Sequence, residues 1–134
     1  MRSVGGFPLQ REGMGAAGLK ETLRRLRLGG VVTLFPEGTR SHDGRLGALK
    51  AGIAALVARA HVPVFPAALA GTFEVWPRSR VFPTLHPVRI HYGRPILPAE
   101  LAGLDTGAVT ALIHQRLHDL HEEARAALER DMTY

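Results

Sequence analysis

Residues 31–41 read Val-Val-Thr-Leu-Phe-Pro-Glu-Gly-Thr-Arg-Ser, an apolar run that breaks into a polar loop. The run is β-branched, aliphatic or aromatic and follows a Gly-Gly pair at 29–30, which predicts a short strand covered on both faces. Pro36 has no N–H to donate to a ladder, so we expect the strand to end there. The chain is therefore expected to fold around a sheet that carries this loop at the end of one strand.

The side chains of the loop suit an anion. Gly38 permits positive φ and a close approach of backbone N–H groups to an oxyanion. Thr39 and Ser41 add hydroxyls, and the planar guanidinium of Arg40 fits phosphate. Glu37 would repel an anion unless it positions Arg40 or accepts a hydrogen bond from a substrate alcohol. A plain polar turn uses the same residue types, so composition alone leaves both interpretations open.

Residues 35–41 resemble the third signature block of the glycerolipid acyltransferases, the family that includes 1-acylglycerol-3-phosphate acyltransferase. Residues 6–11, Gly-Phe-Pro-Leu-Gln-Arg, are similar to the second block, in which an arginine follows a short strand. Residues 62–68, Val-Pro-Val-Phe-Pro-Ala-Ala, are similar to the fourth block. The blocks occur in the family's order within residues 4–95. This resemblance implies an α/β fold with a mixed open sheet flanked by helices.

The resemblance also implies a phosphate-binding set for the acceptor: Arg11, Glu37, Gly38, Thr39 and Arg40. Without the family pattern, Arg11 is a solvated turn arginine. Lys50 is a weaker candidate, explained equally well as an exposed lysine in the first turn of a helix. Pro63 and Pro66 are also weak candidates, since by themselves they indicate only an irregular core strand.

The implied reaction transfers an acyl group from acyl-CoA or acyl carrier protein to the free hydroxyl of 1-acylglycerol-3-phosphate, in phospholipid biosynthesis. A histidine takes the hydroxyl proton, the alkoxide attacks the thioester, and basic side chains hold the phosphate. No metal or organic cofactor is expected, because the thioester is already activated. The expected partners are a lysophospholipid acceptor, an acyl thioester and the surface of a membrane.

One block of the family is not found in its place. The catalytic His-x4-Asp block belongs upstream of the second block, where this sequence leaves almost no room. Neither His42, beside Asp43, nor His114, with Asp119, is expected to replace it. We therefore identify no catalytic residue, expect the first strand–helix unit of the family to be missing, and expect little or no turnover from the chain alone. The alternative is a non-catalytic module that binds a phosphorylated lipid or an acyl donor.

Composition sets the remaining expectations. A length of 134 residues predicts a single acyltransferase-type domain over residues 1–134, the C-terminal portion of the family domain. The net charge of +5 suits phosphate or anionic headgroups, while the 6% aromatic content is not interleaved with basic residues, so nucleic acid is not an expected partner. Cysteine is absent, which excludes disulfides and thiolate catalysis and fits a cytoplasmic location or the cytoplasmic face of a membrane. No apolar run approaches the roughly 18 residues of a spanning helix.

Periodicity predicts the elements around the blocks. Strands are expected over residues 4–10, 31–35, 62–69 and 88–92, and helices over residues 16–28, 49–60 and 106–130. The basic cluster in the first helix is expected to be a solvated face, with contact to anionic lipid as the alternative. The histidines of the last helix are expected on a solvated face opposite its apolar stripe and not to bind a metal: His114, His118 and His121. Trp76 is expected to pack in the core, with the acyl chain or the interface as alternatives.

Overall fold

A computed structural model describes residues 15–133 and contains five helices and two strands there. Their order is α1 (Ala16–Arg27), α2 (Gly52–Ala60), β1 (Ala67–Ala70), α3 (Thr72–Val75), β2 (Arg89–Tyr92), α4 (Pro98–Leu101) and α5 (Thr106–Met132). The three long helices and the strand at 89–92 agree with the sequence prediction. The predicted strand over residues 4–10 lies outside the described residues. Among residues 15–133, no helix is both long and apolar enough to cross a membrane.

The two strands form an antiparallel ladder. Ala67 pairs with Tyr92 and Ala70 with Arg89, and an isolated bridge joins Val64 to Ile96 further along. The strand predicted over residues 62–69 is therefore shortened at its start. Pro66 interrupts the pairing because it has no N–H, although its carbonyl still accepts from the Gly93 N–H at 2.9 Å.

One face of the ladder packs on α5. Ala68 and Ala70 lie against Leu120, Ala124 and Leu128, and all five are buried. The strand alternation places Leu69, Ile90 and Tyr92 on the opposite face, where each is at least partly exposed.

A second core forms between α2 and the first half of α5. Its buried residues lie at helical spacing on both helices and include the bridge residue after β2: Ile53, Ala54, Val57, Ile96, Leu101, Val109, Ile113 and Leu117. The apolar stripe of α5 thus serves both cores. Helix α1 packs against α2, and Gly29, with φ +79°, ends it as predicted.

Among residues 15–133, the run at 31–35 does not form the buried strand that was predicted. No described residue forms a ladder with it, and Val31 and Phe35 are 95% and 73% exposed. Leu34 alone packs against the α2–α5 core. Apolar, β-branched residues favour an extended backbone, but a strand also needs hydrogen-bonded neighbours, and residues 15–133 provide none here. The fold class is α/β as predicted, and its described strands are antiparallel.

Candidate functional site

The loop that follows residue 35 is a tight turn attached to the start of α2. The Gly38 N–H donates to the Phe35 carbonyl at 3.0 Å, and Gly38 has φ +66°, in the left-handed region. The Lys50 N–H donates to the Pro36 carbonyl at 2.8 Å. The chain therefore leaves the loop and returns to it within one short excursion, residues 39–49.

Glu37 holds that excursion in place. Its Oε2 accepts a hydrogen bond from the Gly47 N–H at 2.8 Å. A Cβ on Gly47 would lie 3.1 Å from the same oxygen, so the glycine allows this approach. The sequence suggested that Glu37 positions Arg40 or accepts from a substrate alcohol. In the structure the carboxylate positions the returning segment, and the Arg40 guanidinium lies on another residue.

Lys50 reaches the loop through its side chain. A Cβ on Gly38 would lie 3.0 Å from Lys50 Cε and 3.3 Å from Lys50 Cγ, so the aliphatic stem runs across the glycine. The two residues were separate candidates in the sequence, and the fold brings them into contact. The glycine is needed here both for its positive φ and for the room it leaves to the lysine.

Arg40 lies over the ring of Trp76, with Cζ 5.5 Å from the ring centroid. Its Nη1 is 3.5 Å from the Trp76 carbonyl oxygen, and Trp76 Nε1 donates to the Arg80 carbonyl at 3.0 Å. Trp76 is 47% exposed, so the expectation that it packs in the core is wrong. It instead supports the guanidinium through a cation–π contact.

Arg78 is a member of this cluster that the sequence did not reveal. Its Nη2 donates to the Thr39 hydroxyl, and its Nη1 lies 3.0 Å from His42 Nε2. The sequence around Arg78 offers only a second arginine and a turn proline as signals, and neither identifies a contact with the loop. A guanidinium only donates hydrogen bonds, so His42 Nε2 is the acceptor. That lone pair is then occupied, which argues against His42 as a replacement base.

Three basic residues therefore meet one turn of backbone. Arg40 lies within the turn, Lys50 crosses Gly38, and Arg78 contacts Thr39. All three side chains are on exposed residues, where they can reach a ligand. Such an arrangement can bind a dianionic phosphate through charge-assisted hydrogen bonds from side chains and backbone.

The other predicted site residues are placed differently. Arg11 lies outside the described residues. Pro66 is buried and Pro63 exposed, and their segment contributes to the antiparallel ladder through Val64 and the Pro66 carbonyl. A Cβ on Gly93 would lie 3.0 Å from Pro66 Cγ, so this proline packs against the strand partner. The prolines shape the sheet edge, and among residues 15–133 no contact joins them to the loop.

His121, on α5, is largely covered by its neighbours. Its side chain is only 13% exposed, so the prediction of a fully solvated histidine face is wrong at this position. Burial lowers the pKa of His121, Arg125 and His118 add to the lowering, and the carboxylates of Glu122 and Glu37 oppose it. Glu37 is thus close enough for its charge to act on a helix more than eighty positions away in the chain.

His114 and Asp119 have four residues between them, so their spacing does fit His-x4-Asp. Their geometry on α5 does not. Residues five positions apart point about 140° away from each other around a regular helix. Asp119 Oδ1 accepts from Gln115 Nε2 at 2.7 Å, and the His114 ring stacks on that of His118 with centroids 6.4 Å apart. His114 and Asp119 are thus each engaged by another neighbour and not by one another.

The protein-family model described as Acyltransferase matches residues 1–70. The chloroplastic 1-acyl-sn-glycerol-3-phosphate acyltransferase of Brassica napus is 46% identical over 59 residues, which are 44% of this chain and 17% of the relative. The 1-acyl-sn-glycerol-3-phosphate acyltransferase of Bacillus subtilis (strain 168) is 25% identical over 130 residues, which are 92% of this chain and 61% of the relative.

A solved structure agrees with these sequence matches. The crystal structure of the 1-acyl-sn-glycerophosphate acyltransferase PlsC from Thermotoga maritima aligns with a TM-score of 0.73 at 27% identity, covering 81% of this chain and 46% of that one. The chain thus spans less than two thirds of the relatives it matches.

Proposed function

The chain belongs to the acyltransferase family whose model matches its first 70 residues, and we propose that it supplies the phosphate-holding wall of a 1-acylglycerol-3-phosphate O-acyltransferase. The matched proteins carry that activity in their names, and residues 35–41, here called the signature loop, lie within the matched region. The observation that carries the proposal is the meeting of Arg40, Lys50 and Arg78 at Gly38 and Thr39.

In the proposed reaction, these cations hold the phosphate of the acceptor and so orient its free hydroxyl toward the acyl donor. The hydroxyl loses its proton to a base, and its oxygen bonds to the thioester carbonyl carbon. The carbon–sulfur bond then breaks and the base returns the proton to the sulfur, so that CoA or acyl carrier protein leaves as its free thiol. Orientation of this kind converts binding energy into rate. The reaction would take place at the cytoplasmic face of a membrane, where the lipid acceptor resides, and it needs no cofactor beyond the activated thioester.

We propose further that the 134-residue chain alone turns over little or no substrate. A general base contributes about 10²–10⁴-fold to such a reaction. His42 is occupied by Arg78, and the His114–Asp119 pair cannot act together on a regular helix. Acylation assays with acyl-CoA and with acyl carrier protein as donors test this point, and ordinary turnover would contradict it.

The binding step is tested by calorimetric titration with a soluble short-chain 1-acylglycerol-3-phosphate and with the matching monoacylglycerol that lacks the phosphate. We expect the phosphorylated ligand to bind at least about tenfold tighter, since charge-assisted hydrogen bonds supply the difference. Arg40→Lys keeps the charge but removes the planar fork, and it should weaken this preference. Arg59→Lys, in the last turn of α2, is the matched control. Equal affinity for both ligands would overturn the proposal.

The second candidate function is a non-catalytic module that binds a phosphorylated lipid or an acyl donor. The engagement of His42 by Arg78 favours it, because that contact leaves the anion site intact while occupying the nearest histidine. The genomic sequence upstream of Met1 separates the two candidates. An in-frame His-x4-Asp there supports the enzyme, whereas a stop codon supports the binding module.

A further inference from the structure

We propose that residues 76–88, here called the docking loop, bind the surface of an anionic lipid bilayer. The loop joins α3 to β2 and contributes two residues to the candidate site, Trp76 and Arg78. Lipid binding by the loop does not depend on whether the chain has the proposed function. Its use in presenting the site to a lipid acceptor rests on the proposed function.

The docking loop exposes large apolar side chains close together. Val81, Phe82 and Leu85 are 80%, 78% and 107% exposed. Three such residues within five positions form a patch of the kind that marks an interaction site, whereas isolated exposed apolar residues need no explanation. The patch therefore has the character of an interaction surface.

The sequence that contains this patch carries charge of one sign. Between Glu74 and Glu100 the chain contains no acidic residue, while it contains four arginines: Arg78, Arg80, Arg89 and Arg94. Arg89 pairs with Asp131 on α5 and Arg94 lies beyond β2, which leaves Arg78 and Arg80 as the charges within the docking loop itself. Exposed arginines beside an apolar patch match a bilayer whose surface carries anionic headgroups.

Internal hydrogen bonds hold the docking loop in shape. The Thr84 N–H donates to the Val75 carbonyl at 2.8 Å, and Thr84 Oγ1 donates to the Glu74 carbonyl at 3.0 Å. Arg80 Nη1 donates to Thr84 Oγ1 at 3.2 Å. A loop that is already ordered loses little conformational entropy on binding, so its apolar tip is available to insert.

The loop's place in the fold favours a bilayer over a second copy of the chain. Arg40 stacks on Trp76 and Arg78 donates to Thr39, so the loop and the candidate site lie at the same surface. A bilayer that receives Phe82 and Leu85 would then adjoin the anion site. A symmetric dimer through this loop would instead place the same arginines against their counterparts, and like charges in contact oppose association.

Vesicle partition of the full 134-residue chain tests the proposal. Trp76 is the only tryptophan, and its emission should shift to shorter wavelength on adding vesicles of phosphatidylcholine with phosphatidylglycerol, much less with phosphatidylcholine alone. Phe82→Ser and Leu85→Ser should each lower the partition coefficient about tenfold, because each removes most of one inserted side chain. Leu28→Ser, at a leucine that is 73% exposed at the end of α1, is the matched control and should partition like the parent chain. Added salt should weaken binding.

Three results would overturn the proposal: no partition of the parent chain, an equal loss for Leu28→Ser, or a solution dimer that Leu85→Ser dissociates. Circular dichroism of each variant verifies that it is folded. Titration of Leu85→Ser with glycerol 3-phosphate separates this proposal from the proposed function. Vesicle binding by the parent chain without phosphate binding would refute the anion site alone, and phosphate binding without vesicle binding would refute the docking loop alone.

Discussion

The guanidinium of Arg78 donates a hydrogen bond to the hydroxyl of Thr39, 39 positions earlier in the chain. The contact attaches the docking loop to the signature loop and adds a cation to the residues that the family pattern identifies. Arg78 contributes its second amino group to His42, so one side chain organises both ends of the segment 39–42.

Arg78→Gln should weaken binding of the phosphorylated acceptor about tenfold, since it removes one charged donor and the support of Thr39. Titration of the soluble short-chain ligand measures the effect. Arg80→Gln is the matched control, because Arg80 contacts Thr84 within its own loop. An equal loss in the control would show that only the overall charge matters, contradicting a specific role for Arg78.

Gly38→Ala should destabilise the chain by about 1–3 kcal/mol, through a positive φ unsuited to alanine and a contact with Lys50. Chemical denaturation gives the free energy of unfolding. Gly103→Ala is the control, because Gly103 has φ +78° but nothing within 4 Å of an added Cβ. Gly38→Ala should lose more free energy of unfolding than Gly103→Ala, and this difference should disappear in a Lys50→Ala background. A difference that persists there would show that Lys50 is not the obstacle.

Glu37→Ala should lower the free energy of unfolding by about 0.5–1.5 kcal/mol, because the Gly47 N–H loses its acceptor. Glu37→Gln retains an oxygen acceptor and should cost less. The glutamine variant also removes a charge that raises the pKa of His121, so that pKa should fall further. Nuclear magnetic resonance titration of the imidazole measures this shift. An unchanged His121 pKa would contradict the proximity of the two side chains.

His121 should make the fold sensitive to mild acid. Burial lowers its pKa below the ordinary 6.5, so below that pH the unfolded chain binds more protons than the folded chain. Stability should therefore decrease as the pH falls from about 6.5 toward the folded-state pKa. His121→Gln should flatten this part of the pH–stability profile. His61→Asn is the control, at an exposed position with φ 49° that asparagine tolerates, and it should leave the slope unchanged.

The predictions that agree with the structure depended on residues that are close together in the sequence. Leu and Ala at helical spacing predicted α1, α2 and α5, since this periodicity depends only on neighbours in sequence. The Gly-Gly pair after residue 28 predicted the end of α1, where Gly29 takes the left-handed conformation. The motif at residues 35–41 predicted the family, which the match over residues 1–70 confirms.

The errors fall where partners come from elsewhere in the chain. The run at 31–35 has the composition of a buried strand, yet pairing depends on neighbours that residues 15–133 do not supply. His121 lies on a face judged polar from α5 alone, and its burial follows from the elements packed beside that helix. Helical periodicity describes one helix in isolation and contains no information about what covers it.

The sequence by itself determined the acyltransferase family, the three long helices and the position of the signature loop, because each depends on short-range pattern. Only the tertiary structure decided that Lys50 crosses Gly38, that Arg40 rests on Trp76 and that Arg78 joins Thr39. These contacts connect segments that lie far apart in the sequence, and each segment is held in place by its own turn or helix. Their geometry follows from the packing of α2 and the ladder against α5, which brings distant residues to one surface.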